Sequence, residues 1–440
     1  MNKIFSTMAI SFGMLLAANA VEISTVSLYQ PSGKRTANID YTLSAPPAIV
    51  LIDIQTNSVD ELGATNWASV GEERLSTLDG DVNGIVSGAS GRATWKPRKD
   101  FEGFPDFTNN VRAVVKAYPL LDPPEVLVVN LEDGTHRYYD SLDELPDGGI
   151  SNALYRLDRL VLRRIHAAGV PFRMGMGWEQ QYNTTVTNST AHTVTLTKDF
   201  YIGVFELTIG QYNRVTGNNF WYSRWTFAGT EGNPSNTVPM TITYNDLRGS
   251  SSGAGWPNAN RAVAHAVDEG SFLYKLRNLV GNRFLFDLPT EAQWEFACRA
   301  GTYTTLPSGV ETKASEYTDA NVAAIACYYY NGRYNNAANN GPTNTMAFAA
   351  NNFGLYDMIG NVREWCLDWY AGIFDHMPAV EPTGPTTGTS RVNRGGGWVD
   401  SSVWCTSGRR GSTVPGRCAS GSGDVNIDIG ARICVTIEGN

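Results

Sequence analysis

The residues of this 440-residue chain whose types and spacing best suit chemistry lie between Arg391 and Gly411, in RVNRGGGWVDSSVWCTSGRRG. An Arg-Gly-Gly-Gly turn is followed by an acid, Asp400, and five residues later by a thiol, Cys405. A thiolate is a nucleophile and a soft metal ligand, whereas a carboxylate suits hard ions. The stretch reads either as a reactive centre or as the frame of one whose chemistry is gone. A second acidic turn, YDMIGNVREW, sets Asp357 and Glu364 on either side of Gly360. Two carboxylates around a glycine turn suit a cation that wants several oxygen ligands, although Glu364 can equally pair with a nearby arginine such as Arg363.

Other signals are weaker. GSSSG, Gly249 to Gly253, matches a serine-hydrolase string, but that elbow needs a strand before it and a helix after it, and here it sits in a Ser/Gly-rich loop. The five histidines, His136, His166, His192, His265 and His376, show no metal-ligand spacing. Asn183-Thr184-Thr185 and Asn188-Ser189-Thr190 are glycosylation strings, meaningful only in a host that uses them.

The elements that must position these residues follow from the pattern. Residues 1–20 hold Lys3, an apolar run and Ala18-Asn19-Ala20, the layout of a secretory signal peptide; the mature protein is expected to be exported, periplasmic or extracellular, with no membrane span. Residues 21–119 alternate in period two, as where Ile39, Tyr41 and Leu43 share a face; an all-β immunoglobulin-like sandwich is expected. Residues 120–159 read as a connector with one strand candidate, VLVVNL, and residues 160–440 as a second domain. That domain carries helix signals at SFLYKLRNLVG and at LPTEAQWEFACRAGT, where Thr290 and Gln293 fit a capping box. A net charge of −9 with no basic run argues against a nucleic-acid partner.

The blocks LPTEAQWEFACRAGT, NFGLYDMIGNVREWCLDWY, RVNRGGGW and IGARICV, in that order, resemble the formylglycine-generating enzyme (sulfatase-modifying factor) family from about Leu160 onward. The resemblance implies an α+β, C-type-lectin-like fold with much irregular structure. It also implies an oxidase that binds Cu(I) through two cysteines five residues apart and converts a substrate cysteine to formylglycine. Read onto this chain, those positions are Asp400 and Cys405, and Gly397 replaces the serine of the family's RGGS. One thiolate beside a hard carboxylate is a poor Cu(I) site, so copper is not expected.

Family members with cysteines at the positions of Cys298 and Cys434 pair them, and such a bridge would stabilise by about 4–5 kcal/mol on the chain-entropy model. Cys366 and Cys405 are candidates for a second bridge, leaving Cys327 and Cys418. The resemblance maps a calcium site onto the Asp357 side chain, the Gly360 and Val362 carbonyls and the Glu364 carboxylate. A second family calcium site begins at Asn321 and Val322 but finds no matching acid after them.

Two functions follow, beside a third in which the chain is an accessory protein that contacts exported sulfatases or glycan-degrading enzymes without modifying them. One is an exported, non-catalytic scaffold that binds a protein, peptide or glycan. Residues 399–430, which lack Lys, Glu, Gln and Met, would carry the binding surface, as in relatives whose residues after RGG are diversified. The other is a formylglycine-generating oxidase with a different metal arrangement. The aromatic segments CYYYNGRY and NNFWYSRW can stack on sugars or peptides, or can simply be core.

Overall fold

A computed structural model describes residues 21–437 apart from 60–62, 72–73, 102–109, 177–189, 220–235, 252–254, 313–317, 334–340, 373–376 and 419–427. The chain divides into two compact units between Pro123 and Pro124.

In the first unit, Ala37–Leu43 pairs antiparallel with Ile23–Tyr29 on one side and Ser90–Trp95 on the other. A second antiparallel sheet is built on Ala48–Val59, which pairs with Thr65–Ser69, Gly84–Val86 and Val111–Pro119. Alternation along Ala37–Leu43 buries Ile39, Tyr41 and Leu43, and these join Val50, Ile52 and Ile54 of the other sheet in one core. Two antiparallel sheets with a shared apolar interior are what period-two patterning produces when each sheet must cover one face.

The second unit is mixed α+β. Its largest sheet runs in the order His136–Tyr139, Val126–Asn130, Arg159–Ile165, Phe200–Gly203, Cys434–Thr436. The stretch 120–159, expected to be a connector, therefore supplies two strands of this sheet. The reason is burial: Val126, Leu127, Val128 and Val129 are all buried, and a strand apolar on both faces must be covered on both. A four-stranded sheet runs Arg410–Thr413, Arg391–Arg394, Arg363–Trp369, Ile429–Gly430. It brings the Arg391 stretch beside the acidic turn, although the two are far apart in sequence.

The helix Glu291–Arg299 lies in the core between these parts. Thr290 and Gln293 form the reciprocal capping box expected from the sequence, and every residue of the helix is buried. The other expected helix is Phe272–Leu279, capped by Ser271.

Candidate functional site

The Arg391–Arg394 strand ends in a turn that only small residues permit. Gly396 has φ +70, and a Cβ there would lie 2.8 Å from Cys405 Sγ and 2.9 Å from the Trp404 carbonyl oxygen. Arg394 is fully buried, pairs with Glu295 and donates to the carbonyls of Ser407, Gly408 and Arg409. This arginine holds the returning loop in place, so the RGG portion is a framework.

After the turn, Asp400 is fully engaged. Its Oδ1 is 2.7 Å from Arg363 Nη2, and its Oδ2 accepts the Gly397 N–H at 2.8 Å. Its backbone carbonyl accepts from Tyr329 N at 2.9 Å. Arg363 is buried and lies against Asp428 at 3.5 Å as well, and its guanidinium sits over the Trp404 ring. On Trp404, which is half-buried, Arg409 also stacks, at 3.9 Å from the ring centroid. Cys405 is fully buried, and burial followed by the neighbouring Asp400 charge pushes its thiol well above its ordinary value. It stays protonated at neutral pH.

Neither expected bridge is formed. Cys298, Cys366, Cys405 and Cys434 are free thiols. Cys298 Sγ lies 3.6 Å from Ser407 Oγ and donates towards the Met358 carbonyl, whereas Cys434 Sγ points at Gln293 Oε1, 3.9 Å away. The two sulfurs thus have different surroundings although both residues belong to one core.

At the acidic turn, Asp357 and Asn361 take positive φ around Gly360. Asp357 Oδ2 accepts from Met346 N at 2.6 Å, while its buried Oδ1 has no hydrogen-bond partner. Burial, then Glu364, pushes the Asp357 carboxyl up to about 6. Glu364 does not face the turn as a free ligand: it pairs with Arg432, at 2.8 Å, and accepts the Trp294 indole N–H at 2.7 Å. The arginine expected as its alternative partner, Arg363, is replaced by Arg432 because Arg363 is taken by Asp400 and Asp428. A carboxylate absent from the expected set, Glu206, lies close by. It is fully buried, accepts from Asn361 Nδ2 at 2.7 Å and Val362 N at 3.1 Å, and is pushed well above the carboxylate range by burial and by Asp357.

Among the described residues no three acidic, histidine or cysteine side chains are arranged to hold a metal. Asp357 Oδ1 is buried without a hydrogen-bond partner, whereas both Glu364 oxygens are held by Arg432 and Trp294. His376, Asn183, Asn188 and most of NNFWYSRW lie outside the described residues. In CYYYNGRY, Tyr328 is core, and Tyr329 and Tyr330 are half-buried. Gly249 follows the helix Tyr244–Arg248 rather than a strand, and Ser251 donates to Asp268, so the described part of GSSSG lacks the strand that a nucleophile elbow needs; Ser252 and Gly253 lie outside the described residues.

Residues 163–425 match the family described as Sulfatase-modifying factor enzyme 1-like domain. The chain belongs to that family. It is 36% identical over 127 residues to the formylglycine-generating enzyme of Thermomonospora curvata, a match spanning 27% of this chain and 40% of that protein. It is 37% identical over 146 residues to serine/threonine-protein kinase pkn1 of Chlamydia caviae, spanning 30% of this chain and 21% of that protein. The chain thus covers less than half the length of these curated relatives. Among solved structures, Treponema denticola variable protein 1 matches with a TM-score of 0.46 at 23% identity, over 63% of this chain and 95% of that one.

Within the sulfatase-modifying factor frame, the residues at the two copper-cysteine positions do not fit Cu(I). A carboxylate already bound to a buried guanidinium and a protonated, buried thiol are not a soft dithiolate pair. A Cβ at Gly397, the serine position of the sulfatase-modifying factor turn, would lie 3.3 Å from the Asp428 carbonyl oxygen and in ordinary contact with the Arg363 and Asn361 backbone. Sequence reasoning missed the roles of Glu206, Arg363 and Arg432. The available signal was an arginine set among apolar residues, in GNVREW and GARIC, which a core accepts only with a counter-charge.

Proposed function

We propose that this chain is a non-catalytic member of the sulfatase-modifying factor family that acts, once exported, as a ligand-binding scaffold. The observation that carries this reading is the Arg363–Asp400 pair, which occupies the position of the first copper cysteine with a satisfied ion pair. The binding face lies after Trp398, where Trp404, stacked by Arg409 and Arg363, presents a half-exposed aromatic–cation surface. Such a surface suits a peptide or glycan. Among the described residues no helix is long and apolar enough to cross a membrane.

A calcium ion at the Asp357 turn is part of the same reading. Asp357 Oδ1 is buried without a partner, and Glu206, Asp357 and Glu364 lie together with Arg432 opposing all three and Arg156 opposing Asp357, so added positive charge is favourable there.

The test of the non-catalytic reading is direct. The purified protein is incubated with Cu(I), oxygen and a sulfatase-type Cys-x-Pro-x-Arg peptide. The expected result is no aldehyde product; aldehyde formation would overturn the reading in favour of an oxidase.

A further inference from the structure

Arg409 is anchored at both ends of its side chain. Its backbone is fixed from the core, because the Arg409 carbonyl accepts from the fully buried Arg394 at 2.7 Å. Its tip is fixed by an aromatic ring, the guanidinium carbon lying 3.9 Å from the centroid of Trp404. Between these anchors the half-buried side chain makes no hydrogen bond and no ion pair with any described residue. None of its nitrogens is both buried and unpaired, so its N–H groups are open to an acceptor from outside.

The neighbouring acids are already committed. Asp400 gives one oxygen to Arg363 and the other to the Gly397 N–H, and Asp428 lies 3.5 Å from Arg363. Arg363 therefore meets both carboxylates, and Arg409 pairs with neither. Burial, and then the Arg363 charge, holds the Arg409 guanidinium below its ordinary value against the smaller pull of Tyr370 and Asp400. This cation is short of negative charge, and a ligand can supply it.

The chemistry of the group narrows the ligand. A guanidinium stacked on an indole spends one face on the ring and keeps its in-plane N–H donors, a fork that matches the two oxygens of a carboxylate. A single cation with Asp400 nearby suits one negative charge rather than the roughly two of a phosphate, which calls for a cluster of basic residues.

We propose that Arg409, held on Trp404, recognises a carboxylate on the ligand that binds after Trp398. This rests on the scaffold reading above and names its ligand class. The carboxylate can belong to an acidic amino-acid side chain or to an acidic sugar, since the fork reads the same group in both.

The experiment is calorimetric titration of the full chain with N-acetylglutamate amide and, separately, with sodium glucuronate. N-acetylglutamine amide and glucose serve as their uncharged counterparts. At least one acid is expected to bind about tenfold more tightly than its neutral counterpart, and the stronger arm identifies the source. Arg409→Gln is expected to bring acid and neutral partner within about twofold of each other, and Arg409→Lys, which keeps the charge but not the fork, to lower the preference about threefold. Arg283→Gln, at an exposed position outside this cluster, is expected to leave the preference unchanged. Equal binding of acid and neutral partner, no binding of either acid at millimolar concentration, a preference that survives Arg409→Gln, or an equal loss in Arg283→Gln would overturn the proposal. If Arg409→Gln fails to fold, an undiminished preference in Arg409→Lys overturns it instead. The scaffold reading fails separately, on aldehyde formation from the Cys-x-Pro-x-Arg peptide, so the two failures are distinct.

Discussion

Arg363 and Asp400 form a nearly solvent-free ion pair, Nη2 to Oδ1 2.7 Å, with the side chains 6% and 11% exposed. Two distant stretches, the acidic turn's outgoing strand and the loop after RGGG, are joined at that point. Removing one partner of such a pair leaves a buried charge. Asp400→Ala is expected to destabilise the protein by about 2–4 kcal/mol in chemical denaturation, with Asp428 at 3.5 Å offsetting part of the loss. A loss within experimental error would show that the pair contributes nothing to the frame.

The buried thiols offer a second check. Cys298, Cys327, Cys366, Cys405 and Cys434 are all buried, and burial pushes Cys298 and Cys327 up to about 12. In the native protein at pH 8 these five are expected to resist alkylation, and in denaturant without reductant all five should react. No reductant-sensitive linkage is expected for any peptide containing them; a Cys298–Cys434 disulfide by mass spectrometry would instead restore the pairing that the family resemblance implies.

Calcium is tested through stability. With calcium at about a hundred times its Kd, Tm is expected to rise by about 3–8 °C, and Asp357→Asn should abolish the rise. Identical melting in calcium and in chelator would remove the ion from the account.

Asp368 carries a pH dependence of defined sign. It is buried, accepts Glu291 N at 2.7 Å, and is pushed up to about 7 by burial and then by the Glu291 charge. Its folded pKa is raised, so its contribution to stability is fully present below about pH 4, the unfolded value, and is lost as pH rises through about 7. Asp368→Asn keeps an acceptor for Glu291 N. It is expected to stabilise at pH 8 by on the order of 1–3 kcal/mol and to have little effect at pH 4. Equal effects at both pH values would mean that Asp368 is ionised throughout.

Local order was legible in the residues themselves. Thr290 and Gln293 announce a helix start because a capping box is satisfied within four residues. Ile39, Tyr41 and Leu43 announce a strand face because side chains alternate across a pleat. The family blocks, Asp400 at a cysteine position and Gly397 at a serine position were also visible, and with them the unsuitability of this pair for Cu(I). Partnership was not. That Asp400 meets Arg363, that Glu364 turns to Arg432 and Trp294, and that Glu206 enters the acidic turn all depend on strand pairings between residues far apart in the chain. A buried charge takes whichever counter-charge packing delivers, and packing is decided by the whole sheet at once. The helix start, the strand faces and the absent thiolate are written in short runs of residues, whereas the meeting of Asp400 with Arg363 and of Glu364 with Arg432 is set by how distant strands pack.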